Sequence, residues 1–135
     1  MMNTTKMDTV SEEQEIYKEN ILDHYRNPHN KGILSHPTVQ HREFNPLCGD
    51  DVTIYLQIDR GIIQEISFMG GGCAISQASI SMITDVVQGR SVHEAKNMTP
   101  EKVLSFLGVP ISNTRIKCAL LSLKAIHQAL KDYHE

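Results

Sequence analysis

The 135-residue chain has no tryptophan and only three cysteines, none of them in a Cys-x-x-Cys pair. An odd, sparse set of thiols argues against a disulfide framework, and a chain of this length buries a sizeable core without one. No stretch approaches the roughly 20 apolar residues that a membrane helix requires. Positive charge is not in excess either: the formal net charge is −3 with histidines neutral, so no nucleic-acid surface is indicated. The opening segment MMNTTKMDTVSEEQE lacks the apolar block of a secretory signal, and the expected location is the cytoplasm. No Gly-x-Ser-x-Gly elbow accompanies the serines of SQASIS; they read as small residues that let helices pack closely, not as nucleophiles.

The pattern that is present predicts a small α+β domain, a short antiparallel three-stranded sheet packed against several helices. Residues 1–10 are expected to be flexible, and 11–135 to form a single domain. Ser11 and Gln14 make a capping-box pattern, after which Ile16, Ile21, Leu22 and Tyr25 recur at helical spacing until Asn27-Pro28. TVQHREF gives a weak first strand with Val39 as its clearest apolar member. In DVTIYLQI, Val52, Ile54, Leu56 and Ile58 alternate with polar residues or Tyr55. DRG then turns the chain into a strand carrying Ile62, Ile66 and Phe68. After MGGGC the period changes to that of a helix over Ile75, Ala78, Ser79, Met82, Ile83, Val86 and Val87, with Gly89 as its stop. Ser91 with Glu94, and Thr99 before Pro100, mark two further helix starts. A last helix from about Asn113 carries Ile116, Ala119, Leu120, Leu123, Ile126 and Leu130.

On this outline each cysteine falls at the end of an element. Cys48 lies in the turn before a strand, Cys73 follows three glycines where a strand gives way to a helix, and Cys118 falls in about the first turn of the last helix. A helix N-terminus favours thiolate over thiol, which applies to Cys73 and Cys118. Gly70, Gly71 and Gly72 clear the approach to Cys73. Gly49 separates Cys48 from Asp50, which point the same way if the backbone there is extended. Three thiolates and a carboxylate suit tetrahedral Zn²⁺, and equally an iron–sulfur cluster with one oxygen ligand. Spacing alone leaves two readings open, shared metal ligation and three separate buried thiols.

NPLCGDDV, GGGCAISQASISMIT and RIKCALLSLKAI, with ILDHYRNPHNKG near the start, resemble the U-type iron–sulfur cluster scaffold family, which includes IscU, SufU and NifU N-terminal proteins. The resemblance runs from Tyr17 to about Leu130. It implies an IscU-like fold and a scaffold that accepts sulfur from a cysteine desulfurase, binds iron and passes a [2Fe–2S] cluster to apo iron–sulfur proteins or carriers. Cys48, Asp50, Cys73 and Cys118 would be the ligands of the cluster or of Zn²⁺, with Asp50 as the hard ligand that keeps the site exchangeable. Cys48 and Cys118 are the two candidate persulfide acceptors.

Three departures from the family pattern qualify the resemblance. Where IscU-type members carry histidine before the last cysteine, this chain has Lys117. Protonated lysine is no metal ligand, so Lys117 is expected to supply positive charge beside Cys118 or Asp50, while Arg115 is given no role beyond that of a solvated residue. RIKC resembles the SufU type, yet NMTPEKVLSFLGVPISNT is too short for the extra segment usual there. GVPISNTRIK replaces the Leu-Pro-Pro-Val-Lys motif through which IscU-type members meet a chaperone. Three functions follow: a cluster scaffold, a zinc-dependent sulfurtransferase that takes persulfide without holding a cluster, and a structural thiol or zinc domain. The glycine-opened thiols disfavour the last. None of the seven histidines is assigned to a metal: His24 and His29 are read as capping or packing residues, His36 and His41 as flanking the weak strand, and His93, His127 and His134 as surface residues.

Overall fold

In the computed structural model, residues 15–131 and 133 are described. The expectations for residues 1–10, for the Ser11–Gln14 cap and for His134 lie outside them. Helix α1 covers 15–26. Strands β1 (Val39–Asn45), β2 (Asp50–Asp59) and β3 (Ile62–Gly71) follow, then α2 (Ala74–Val87), α3 (Val92–Lys96), α4 (Pro100–Leu107) and α5 (Asn113–Lys131). The strands form an antiparallel meander in the order β1-β2-β3.

The alternation in β2 does what its period requires. Val52, Ile54, Leu56 and Ile58 are buried, while Asp51, Thr53, Tyr55 and Gln57 are half-exposed. β3 departs from the predicted phase: Ile63, Ile66 and Phe68 are buried and Ile62 is exposed. The register shift between Gln57 and Ile58 is the cause, because one residue of slip reverses the faces on its far side. The weak apolar pattern of β1 also has a physical explanation. Its inward positions include His41 and Glu43, which hydrogen-bond at 2.7 Å, and Lys124 of α5 reaches Glu43 at 3.7 Å. The free edge of β3 is covered by loop backbone. Asn30 and Gly32 hydrogen-bond Phe68, and Gly89 and Arg90 hydrogen-bond Ile63.

Helices α2 and α5 pack on the sheet and on each other. Serine reads correctly as a small contact residue at Ser79, whose hydroxyl donates to the Ala119 carbonyl at 2.7 Å and lies 3.0 Å from Ser122 Oγ. α2 is enclosed on all sides, with every residue from Ser76 to Thr84 buried. α5 is buried over a wider face than the predicted stripe, for Cys118, Leu121, Ser122 and Ala125 turn inward as well. The predicted helix starts are present: Ser91 accepts from the Glu94 amide, and Thr99 accepts from the Lys102 amide with Pro100 in the first turn. α1 differs most from expectation. Ile21 and His24 are buried, whereas Ile16, Leu22 and Tyr25 are exposed, so most of its apolar stripe does not face the core. Among the described residues no helix is long and apolar enough to cross a membrane.

Candidate metal centre

The four residues singled out in the sequence arrive from three places. Cys48 lies in the loop that joins β1 to β2, between paired residues Asn45 and Asp50. That loop is held by its own polar groups: the Asn45 side-chain oxygen accepts from the Leu47 amide at 3.1 Å, and the Asn45 carbonyl accepts from the Gly49 amide at 2.8 Å. Gly49 has φ of 69°, a left-handed conformation that glycine adopts without penalty. The chain therefore brings Cys48 and Asp50 to one side by a turn, not by the extended backbone the sequence suggested.

Asp50 is completely buried at the first position of β2. Its Oδ1 accepts from the Cys73 amide at 2.9 Å, and its Oδ2 lies 3.8 Å from Cys73 Sγ. Gly72 makes this approach possible, because a Cβ at that position would collide with the Asp50 carboxylate. Cys73 is the N-cap of α2, its sulfur accepting from the Ser76 amide at 3.5 Å. The sulfur thus sits at the N-terminus of α2, beside amides that have no partner within the helix.

Cys118 differs from its predicted setting. It is the sixth residue of α5, beyond the first turn, and is fully buried. Burial pushes its thiol pKa up, reinforced by hydrogen bonding with Cys48 and Asp50, so the helix N-terminus does not give it the thiolate character expected. Its thiol donates to Cys48 Sγ at 2.8 Å, with both cysteines free. Donor atoms of Cys48, Asp50 and Cys118 lie within 4.8 Å of one another, and Cys73 joins them through Asp50.

Such a group fits a metal on physical grounds. A buried carboxylate facing one buried, one half-buried and one exposed cysteine leaves donor atoms turned toward one another, and a cation or cluster of charge opposite to theirs relieves that arrangement. Among the basic residues near the site, Arg115 is exposed, and interaction with Cys73 first, and with Cys118 next, raises the pKa of its guanidinium. Lys117 stands elsewhere, exposed in a groove with Phe44, Pro46, Leu47, Leu120 and Lys124. Helical geometry was the available signal: residues 115 and 118 share a face at i,i+3, whereas 117 and 118 point about 100° apart.

A three-stranded antiparallel sheet backed by helices, with two thiols and a carboxylate at element ends meeting a third thiol from within the last helix, fits a U-type scaffold domain. The family model of the NifU-like N-terminal domain matches residues 16–135, and the chain belongs to that family. It is 34% identical over 134 residues to the zinc-dependent sulfurtransferase SufU of Bacillus subtilis, a match covering 85% of this chain and 89% of that one. It is likewise 34% identical over 119 residues to the iron–sulfur cluster assembly scaffold protein IscU of Aquifex aeolicus, covering 87% and 75% respectively. A solved structure from Fervidobacterium islandicum, described as a scaffold protein for iron–sulfur cluster assembly in the SUF system, superimposes with a TM-score of 0.73 at 29% identity. That match covers 83% of this chain and 94% of the other.

Proposed function

We propose that this chain is an iron–sulfur cluster assembly scaffold, with Cys48, Asp50, Cys73 and Cys118 as the donors that hold the nascent [2Fe–2S] cargo. The observation that supports this most is the meeting of the Cys48, Asp50 and Cys118 donor atoms within 4.8 Å, with the Cys73 backbone amide donating to the same carboxylate and its sulfur 3.8 Å from it. Three soft sulfurs retain iron, and one hard oxygen weakens the shell at a single point, which suits a cargo that must leave. Anaerobic reconstitution with Fe²⁺ and sulfide tests the assignment. Serine in place of any one of the three cysteines is expected to lower the cluster yield severely; a full yield from any variant removes that cysteine from the donor set.

Sulfur reaches the site from a cysteine desulfurase. Cys48 is the acceptor best placed for it, since Cys48 is exposed and Cys118 is fully buried. The Cys48 thiolate attacks the outer sulfur of the desulfurase persulfide, forming a new S–S bond as the old one breaks. The desulfurase cysteine leaves as a thiolate, with no net oxidation or reduction. Arg115, facing Cys73 and Cys118, stabilises the accumulated negative charge. Arg115→Ala is expected to slow cluster assembly about tenfold, the scale of one charge-assisted contact, while Lys117→Ala leaves the rate near wild type. Equal effects of the two substitutions would remove the distinction between them.

A second reading, a zinc-dependent sulfurtransferase, has one specific feature in its favour. Cys48 lies on an exposed loop and can withdraw from the donor set while Cys73, Asp50 and Cys118 stay in place. Bound Zn²⁺ would hold these sulfurs as thiolates until one of them is released to accept sulfur.

A further inference from the structure

A second group of ligating side chains lies at the other end of α2. One ring nitrogen each from His24 and His29 and a carboxylate oxygen of Asp85 are mutually within 4.8 Å. Cys73 caps the start of α2, and Asp85 lies twelve residues further along it, so the two groups are about 18 Å apart along the helix axis. The two cannot share one ion.

The second group is built from three elements and oriented by a surrounding set of hydrogen bonds. His24 projects from α1 and is nearly buried, with Nδ1 2.7 Å from Ser81 Oγ. The same hydroxyl accepts from the His29 backbone amide at 2.8 Å. In the tautomer where His24 Nδ1–H donates to Ser81, the Nε2 lone pair of His24 is left free. His29 Nδ1 lies 2.5 Å from Asp85 Oδ2, and the other carboxylate oxygen accepts from the Asn30 side chain at 2.8 Å. Asn30 also donates to Thr84 Oγ1 at 3.0 Å. The imidazole rings are 4.5 Å apart between centroids. Placing two imidazoles this close is unfavourable when both are protonated and becomes favourable when a shared cation lies between them and a carboxylate.

The geometry points to a second divalent-cation site, in which His24, His29 and Asp85 bind Zn²⁺ and water completes the shell. Two imidazole nitrogens and one carboxylate oxygen are a donor set suited to Zn²⁺ among borderline cations. The ion takes the place of the proton shared by His29 and Asp85, and their facing atoms open to about 3.3 Å, the edge of a tetrahedron with ~2.0 Å bonds. His29 and Asp85 have the freedom for this, with side chains 47% and 44% exposed. Ser81 and Asn30 stay in place as the groups that orient His24 and Asp85. Once bound, the ion ties α1 and the turn after it to α2, a clasp separate from the sulfur site and independent of whatever that site carries.

Zn²⁺ titration of the full-length protein, followed by equilibrium dialysis and by ¹⁵N signals of the histidine rings, tests this. One equivalent is expected to fill the sulfur site without moving the ring signals. A second is expected to shift His24 and His29 alone and to raise the melting temperature. Asp85→Asn, which keeps the shape and an oxygen for Asn30, and His29→Gln are each expected to weaken the second equivalent at least about tenfold and to leave the first unchanged. Co²⁺ separates the sites by colour, since only the sulfur site gives thiolate-to-metal absorption. The proposal is overturned if zinc saturates without moving the His24 and His29 ring signals, if the ring shifts fall on other histidines, or if both variants keep the equivalent that moves them. It survives if the first equivalent fails to bind while the second still does.

Discussion

Cys48→Ser is expected to lose sulfur acceptance from a cysteine desulfurase by at least about a hundredfold, since a serine hydroxyl is not ionised and cannot attack a persulfide near neutral pH. The fold should persist, because residue 48 is exposed in a loop whose shape is set by Asn45 and Gly49. Cys118→Ser makes the contrast. Cys118 is fully buried against α2 and the Cys48 loop, so a loss there is expected to be accompanied by a lower melting temperature and lower metal retention. Mass spectrometry after incubation with desulfurase and cysteine reads the difference directly, as 32 Da added to the accepting chain (the mass of one sulfur atom). Persulfide carried at full occupancy by Cys48→Ser would transfer the acceptor role to another thiol.

Asp50→Ala is expected to hold its cluster longer, with transfer to an apo-ferredoxin slowed on the order of tenfold, or about 1.4 kcal/mol in the barrier to release. The physical argument lies in the mismatch of the donor set. Asp50 is the only oxygen among the four proposed donors, and iron held by a carboxylate would be the most readily exchanged point of such a shell. The carboxylate is fully buried, and its Oδ1 is tied to the Cys73 amide. Its removal therefore also loosens the start of α2, and the melting temperature should fall modestly even as release slows. Asp50→Asn retains the hydrogen bond to that amide and separates the two effects. Release as fast as wild type in both variants would show that the oxygen does not set the exchange rate.

Much of this was legible in the sequence, and the failures have identifiable causes. The β2 alternation and the Ser91 and Thr99 caps are local signals, and local geometry honours them. The phase of β3 was misread because a bulge opposite Gln57 and Ile58 is invisible to a strict period of two. β1 looked weak because two of its inward positions carry His41 and Glu43, whose mutual hydrogen bond substitutes for apolar packing. The stripe on α1 predicted burial that the fold does not provide for Ile16, Leu22 or Tyr25. At the sulfur site, the three cysteines and Asp50 stood out through their places at element ends and their likeness to a family pattern. Lys117 attracted notice as the neighbour of Cys118 in sequence, although a helix sends adjacent residues in different directions. Arg115, one turn back, is the basic residue whose pKa the sulfurs raise. The histidine group was beyond reach, because His29 and Asp85 are 56 residues apart and nothing local links them.

Whether this domain releases what it assembles is settled most directly by one reconstitution. The protein is purified anaerobically, its metal content measured, and it is then incubated with a cysteine desulfurase, cysteine, reductant and Fe²⁺ before an apo-ferredoxin is added. The expected result is a [2Fe–2S] visible spectrum that forms on this chain and then passes to the acceptor, leaving the scaffold colourless. Tightly held stoichiometric zinc at the cysteines, no cluster, and a large stimulation of desulfurase turnover would contradict the scaffold and establish a zinc-dependent sulfur acceptor in its place.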